Sequence, residues 1–474
     1  MCSKPLVVDL DGTLIRSDIL MESGFAFLKA APHRFYEPLL WLARGGKAAL
    51  KARLADLTNI DVAVLPYDAA VIEWLAAERE AGRRLVLATA SHERYAKAIA
   101  NHLGLFEMTL ATDGLTNLSA ENKRERLVAE FGEKGFDYVG NSHDDLPVWR
   151  SADCAYVVNP HNGVEHAARK VCRVERVIES RPTLAKTLSK SLRLHQWLKN
   201  LLIFVPLLAA HWLNSSQHAF AALLAFVAFG LCASSVYLLN DLLDLEDDRH
   251  HPVKRRRPLA SGAMPLTWGV VLFPVLLVSS FAVAAVMLPW RFAAVLLSYY
   301  VLTLAYSMLL KRRVMVDVIS LAMLYTTRII AGTAAIGGHL TFWLLAFSMF
   351  IFLSLALVKR YAELHAMMAR GLGKTRGRGY VASDLPLLCS LGTASGYLAV
   401  LVLALYIQDG KTTSLYRHPQ LIWLACPLLL YWVSRTWIIT HRGLMHDDPI
   451  VFAARDRVSL VVFALCGAVF WAAT

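Results

Sequence analysis

The sequence predicts two folds in one chain: a parallel-sheet α/β domain with a helical cap over residues 1–172, and an all-α bundle of nine transmembrane helices over residues 199–474. Three observations lead there. A length of 474 residues exceeds one ordinary soluble domain, so at least two units are expected. Hydrophobic residues make up 56% of the chain and charged residues 18%, but these averages conceal a sharp division. Up to about Thr187 apolar strands alternate with charged helices; from Leu201 onward apolar stretches of roughly 20 residues recur, the length that crosses a bilayer core. Finally, the basic residues between those stretches fall almost wholly on one side. Residues 173–198 read as a linker and interfacial segment. The net charge of +12 would suggest nucleic acid in a soluble protein, but membrane topology accounts for it, and no nucleic-acid module is present. Cysteines at 2, 154, 172, 232, 389, 426 and 466 form no CxxC pair, so free thiols in a reducing compartment are expected. The polar residues after Met1 argue against a cleavable leader.

In chain order, the first element is PLVVDLDGT at 5–13, an apolar strand ending in two acids and a glycine turn. The strand RLVLATAS follows with Thr89, then AENKRERL with Lys123, then FDYVGNSHDDLPVW with Asn141, Asp144 and Asp145. Residues 15–70 are helical in pattern and would cap the site. These four stretches resemble the four motifs of the haloacid dehalogenase superfamily, whose Rossmann-type sheet the resemblance implies. It also implies a nucleophile at Asp9, a general acid/base at Asp11, phosphate contacts from Thr89 and Lys123, and Mg²⁺ held by Asp9, Asn141 and Asp145. One departure stands out. The fourth motif usually reads Gly-Asp, and here Asn141 follows Gly140, offering a neutral carbonyl oxygen in place of a carboxylate. The domain is therefore read either as a working phosphatase or as a degenerate, structural one.

The apolar stretches lie near 200–213, 219–241, 267–288, 292–310, 315–337, 341–358, 387–408, 420–440 and 458–473. The first is short unless it begins inside LRLHQWLKN. Arg181, Lys186, Lys190, Arg193 and Lys199 precede it. Arg249 and Lys254 to Arg257, Lys311 to Arg313, Lys359 to Arg378, and Arg435 to Arg457 mark the even-numbered connections. Only Arg291, Lys411 and Arg417 fall on the other side. The positive-inside rule then puts the N-terminus on the cytoplasmic face of the inner membrane and the C-terminus opposite.

The second stretch ends in SSVYLLNDLLDLEDDRHHPVKRRRPLASG. If its helix continues, Asn240, Asp244 and Asp248 share one face, with Asp241 beside Asn240. Stacked carboxylates repel unless a cation sits among them, and Mg²⁺ prefers oxygen ligands and phosphate partners. A Mg²⁺–diphosphate fits, with Lys254, Arg255 and Arg257 placed to hold the remaining charge. The bland alternative is a solvated acidic helix end before a basic anchor, although charges at membrane depth are by default functional. This NDxxDxxxD run resembles the first aspartate motif of the UbiA superfamily, a bundle of nine helices. YSMLLK, with Tyr306 and Lys311, is similar to the family's YxxxK element. Asp317 stands where its second acidic segment begins, but Leu321 replaces the second acid and puts a second metal in doubt.

Most UbiA relatives move a prenyl group from its diphosphate to an aromatic ring. LHQWLKN, DVISLAMLYTTRIIAGTAA, KRYAEL and DDPIVFAARDR resemble instead the decaprenyl-phosphate phosphoribosyltransferase branch, in which phosphoribosyl pyrophosphate is the donor and a polyprenyl phosphate the acceptor. The residues point the same way, since two phosphorylated substrates need cations. Lys199, Arg328, Lys359 and Arg360, with Glu363 beside them, supply these. For Lys199, Lys359 and Arg360 an interfacial anchor is the alternative, and for Arg328 an internal pair. The expected function is thus Mg²⁺-dependent phosphoribosyl transfer to a polyprenyl phosphate, followed by removal of the 5-phosphate. An ordinary prenyltransferase with an aromatic or other small acceptor remains the alternative, a transporter or scaffold is disfavoured, and a homo-oligomer is left open.

Overall fold

The computed structural model describes residues 4–113, 118–369, 379–409, 416–445 and 448–474. It divides into two compact units, Met1–Leu192 with Tyr237–Phe273, and Arg193–Val236 with Pro274–Thr474. The connection after the second apolar stretch therefore packs with the α/β part. The expected domain lines at 172 and 198 do not register this.

Six parallel strands form one sheet in the order β3-β2-β1-β4-β5-β6. They are β1 (Leu6–Val8), β2 (Leu85–His92), β3 (Met108–Thr112), β4 (Asp137–Gly140), β5 (Cys154–Val158) and β6 (Arg173–Ile178). Leu6, Val7 and Val8 are fully buried, the continuous apolar run of a strand covered on both faces. Strand order reverses at β1, which pairs β2 on one side and β4 on the other. Such a switch point opens a crevice beyond the carboxyl ends of the strands. Asp9 follows β1 directly into it.

Two helices form the cap. Helix α1 (Ile19–Ala30) is started by Asp18, whose carboxylate accepts the Met21 amide at 2.9 Å. Helix α2 (Glu37–Leu57) is kinked at Gly46, whose φ of 67° only glycine adopts at low cost. Phe27 of α1 meets Trp41 edge-on at 5.2 Å and packs with Leu50 and Leu54 into a small core separate from that of the sheet.

In the second unit, helices Trp290–Met308, Val316–Ala335, Phe342–Met368, Leu385–Ile407 and Ala425–His441 fall close to the predicted stretches. Ser216–Leu243 and Leu266–Met287 complete seven helices long and apolar enough to span a membrane. Pro449–Arg455 and Arg457–Ala473 would make an eighth if counted as one span bent by 81°. The remaining stretch begins inside LRLHQWLKN, as allowed for, but it is too short to span and is not a regular α-helix: Leu194–Phe204 is a 3-10 helix running into the single turn Val205–Ala209. Nine full spans are thus not what the described residues show. Close approach is built in at Gly332, where a Cβ would stand 2.1 Å from the Ile203 carbonyl oxygen. The six described cysteines are free thiols, and Cys2 lies outside the described residues. So do Arg370, Lys374, Arg376, Arg378 and Lys411, which contributed to the charge-bias reading.

Candidate active sites

Asp9 and Asp11 lie at the carboxyl end of β1. The Lys123 ammonium, carried by the helix Ala120–Phe131, is 2.6 Å from Asp9 Oδ1 and donates to the Tyr138 hydroxyl at 2.9 Å. Tyr138 in turn donates to Asp145 Oδ1 at 2.9 Å. The other Asp145 oxygen accepts the amides of Asn141 and Ser142, each at 3.0 Å. Asp145 therefore fixes the loop that presents Asn141. Gly12, at φ 76°, leaves the Asn141 side chain its room: a Cβ there would sit 2.3 Å from Asn141 Nδ2. Asp9 and Asn141 thus follow the neighbouring strands β1 and β4 at their carboxyl ends, and each carries a side-chain oxygen of the kind a hard cation takes.

Asp11 accepts the Ile19 amide at 2.8 Å and the Ser91 hydroxyl at 2.6 Å, with Thr89 Oγ1 at 3.5 Å. Thr89 also accepts the Ser91 amide at 3.0 Å. Burial, then the neighbouring Asp18 and Asp9, push the Asp11 carboxyl up to about 7. Burial likewise raises Asp9 to about 6, against the lowering effect of Lys123. A carboxyl balanced near neutrality can both give and take a proton. Lys51 of α2 donates to the Ala90 carbonyl at 2.6 Å, and Asp11 and Asp18 act on its charge.

At the first aspartate motif the helix does not continue unbroken. Ser216–Leu243 stops, Asp244 takes φ −103° and ψ 20°, and a second helix runs Leu245–His250. The i to i−4 bonds nevertheless persist, Asp244 N to Asn240 O at 2.9 Å and Asp248 N to Asp244 O at 2.8 Å. The break turns the acids apart. Asp241 and Asp248 meet one nitrogen, Nη1 of Arg257, at 3.0 and 2.6 Å. Asp244 and Asp247 meet the Lys29 ammonium of α1 at 3.2 and 2.6 Å. Each pair of carboxylates converges on a single cationic nitrogen, and the two pairs face different cations. Of the basic run only Arg257 is drawn in; Lys254 and Arg255 are exposed.

The second unit holds two partly buried ionic clusters. The Lys199 and Lys359 ammonium groups both contact Asp448 Oδ2, at 2.8 and 3.0 Å, and the Tyr325 hydroxyl is 3.2 Å from each oxygen. Two ammonium groups on one carboxylate leave that trio with one positive charge in excess. In the other cluster Arg360, 2% exposed, contacts Asp317 at 2.5 Å, bonds Glu363, and donates to the Tyr306 hydroxyl at 2.9 Å. Asp317 is fully buried and also accepts from Tyr380 at 2.5 Å, so it anchors Arg360 rather than facing solvent. Lys311 is half-buried just beyond the helix carrying Tyr306. Arg328 donates to Asn200 Oδ1 at 3.0 Å and to the Leu324 carbonyl, and lies over the rings of Phe229, Tyr299 and Tyr325. Its internal partner is an amide rather than an acid.

Sequence reasoning passed over Asp448, Lys29, Ser91 and Tyr138. Only Asp448 had a signal, as one of two acids ahead of a proline in DDPIVFAARDR, a stretch already singled out for its resemblance.

Residues 202–453 match the UbiA prenyltransferase family and residues 6–150 the haloacid dehalogenase-like hydrolases. The chain is 36% identical to the Uncharacterized protein y4nM of Sinorhizobium fredii, over 98% of its own length and 90% of the relative's. It is 37% identical to the Nodulation protein NoeC of Azorhizobium caulinodans, over 58% of this chain and 89% of that one. With the Decaprenyl-phosphate phosphoribosyltransferase of Mycobacterium tuberculosis it shares 32% identity, over 60% of this chain and 91% of that one.

Proposed function

Because the chain belongs to the UbiA prenyltransferase family, spans the membrane several times and carries a haloacid dehalogenase-like domain ahead of its helices, we propose that it moves 5-phosphoribosyl from phosphoribosyl pyrophosphate to a polyprenyl phosphate and then removes the 5-phosphate. The observation that carries the choice of donor is the Lys199–Asp448–Lys359 trio, a partly buried excess of positive charge suited to phosphate. A prenyl cation would instead need open aromatic faces, and the rings of Phe229, Tyr299 and Tyr325 are covered by Arg328. The mycobacterial relative named for phosphoribosyl transfer supports the same branch.

Asn240, Asp241, Asp244 and Asp248 would hold Mg²⁺, which supplies positive charge to the departing diphosphate oxygens. Arg257, already between Asp241 and Asp248, is placed to share that load. A phosphate oxygen of the lipid bonds to C1 of the ribosyl group as the bond to diphosphate breaks. This nucleophile is anionic near pH 7, so no strong base is required.

In the hydrolytic step Asp9 attacks the 5-phosphate, and the ester bond to the sugar oxygen breaks. Asp11 gives its proton to that oxygen; it then takes a proton from the water that hydrolyses the phosphorylated aspartate. Lys123 balances charge at Asp9, and Asp9 with Asn141 would hold a second Mg²⁺. Both steps face the cytoplasm in this scheme, at the inner membrane.

Incubation of the purified protein with ribose-labelled phosphoribosyl pyrophosphate, polyprenyl phosphate and Mg²⁺ tests the proposal. Label should enter the lipid fraction only with all components present. Transfer from a prenyl diphosphate to an aromatic acceptor instead would refute the donor assignment.

A further inference from the structure

Within the first compact unit, helix α1 runs from one cluster of acids to the other. Its first residue, Ile19, donates its amide to Asp11 at 2.8 Å. One turn on, Glu22 receives Arg249 in a two-pronged pair, Nη1 to Oε2 at 3.0 Å and Nη2 to Oε1 at 2.5 Å. Both side chains are almost completely buried, 4% and 5% exposed. Arg249 also donates to the Ala260 carbonyl at 2.9 Å, so the segment after the aspartate motif is tied to the middle of α1. In the last turn, Lys29 places its ammonium 3.2 Å from Asp244 and 2.6 Å from Asp247.

We propose that Lys29, supplied by the phosphatase-like part, is a positioning residue of the aspartate motif that makes metal uptake depend on diphosphate. The inference rests on reading that motif as a metal–diphosphate site, and not on which donor carries the diphosphate. A divalent cation arriving alone must share Asp244 with an ammonium group, and like charges at this spacing repel. A metal arriving with diphosphate brings net negative charge, which the same ammonium attracts. Lys29 is not a freely swinging surface lysine. The Glu22–Arg249 pair fixes α1 against the segment that begins five residues after Asp244, which keeps the ammonium within reach of the motif.

The test uses the full-length protein in detergent, with Mn²⁺ in place of Mg²⁺ and free Mn²⁺ read by electron paramagnetic resonance, with and without inorganic pyrophosphate. Lys29→Met keeps the unbranched stem, one atom shorter, and removes its charge. Mn²⁺ alone should then bind about tenfold more tightly, and the Mn²⁺–pyrophosphate complex about tenfold more weakly, roughly 1.4 kcal/mol in each direction. Lys29→Arg should return both values towards those of the unsubstituted protein. A purely structural lysine would leave both unchanged or weaken both together, and either result overturns the inference. If the unsubstituted protein binds Mn²⁺–pyrophosphate normally, that failure touches Lys29 alone. If it binds neither species, the metal–diphosphate reading itself falls and the inference with it.

Discussion

In the proposed hydrolytic site, a carboxylate in place of Asn141 would double the negative charge facing a cation held at Asp9. The Asn141 backbone is held by Asp145, and its side chain lies against Gly12, so an aspartate of nearly the same shape fits the space. Asn141→Asp should lower the Mg²⁺ concentration that half-saturates phosphomonoester hydrolysis by about tenfold. An unchanged Mg²⁺ titration would remove Asn141 from the metal's surroundings. At the other motif Asp244→Asn deletes one charge with little change of shape. If Asp244 faces the departing diphosphate through the metal, turnover should fall by about 10²–10³, or ~3–4 kcal/mol. Near-normal turnover at saturating Mg²⁺ would exclude that role. The residue scale is also where the sequence was least informative. Asp241, Asp244 and Asp248 stood out by spacing, yet their partners Arg257 and Lys29 could not be paired to them without the fold. Asp448 escaped notice because Lys199, 249 residues away, and Lys359, 89 away, become its neighbours only in three dimensions.

The elements themselves were legible because each has a local cause. A bilayer-length apolar run declares a membrane helix, and the predicted and observed ends agree within a few residues for most of them. Hydropathy fails where geometry departs from a straight helix, in the 3-10 segment Leu194–Phe204, the 81° bend after Arg455 and the break at Asp244. It is also silent on Arg249, which read as one more basic residue on the cytoplasmic side. Buried against Glu22, it becomes the pin between α1 and the aspartate segment. Arg249→Met would strand the Glu22 charge and should destabilise the protein by about 3–5 kcal/mol. The check is the thermal unfolding midpoint of the protein in detergent. Glu22→Met combined with Arg249→Met removes both charges, so the double variant should regain most of that loss. Additive losses would mean the two side chains do not act as a pair.

For the molecule as a whole, four motifs in order sufficed to anticipate a phosphatase-like sheet, since β1, β2 and β4 each end where one of the motifs was read. The packing of Tyr237–Phe273 with that sheet and cap was not foreseeable, because it depends on contacts across more than two hundred residues, such as Glu22 with Arg249. This arrangement sharpens the central question, whether transfer and hydrolysis act in sequence on one lipid. Asp9→Asn separates them. The substitution preserves volume, and Lys123 keeps its bond to Tyr138 and its proximity to Asp145 at 4.0 Å. Neither the start of α1 nor the Glu22–Arg249 pair involves Asp9, so Lys29 and the aspartate motif should keep their geometry. Transfer should therefore continue while no aspartyl-phosphate forms, and the variant should accumulate a 5-phosphorylated ribosyl lipid. The unsubstituted protein should release inorganic phosphate and the dephosphorylated lipid. Lipid extraction, with mass spectrometry of the headgroup, distinguishes the two products. If the unsubstituted protein also stops at the 5-phosphorylated lipid across a full Mg²⁺ titration, the domain is not a phosphatase for this product. Asn141 would then mark a lost metal site, and another enzyme would have to remove the phosphate.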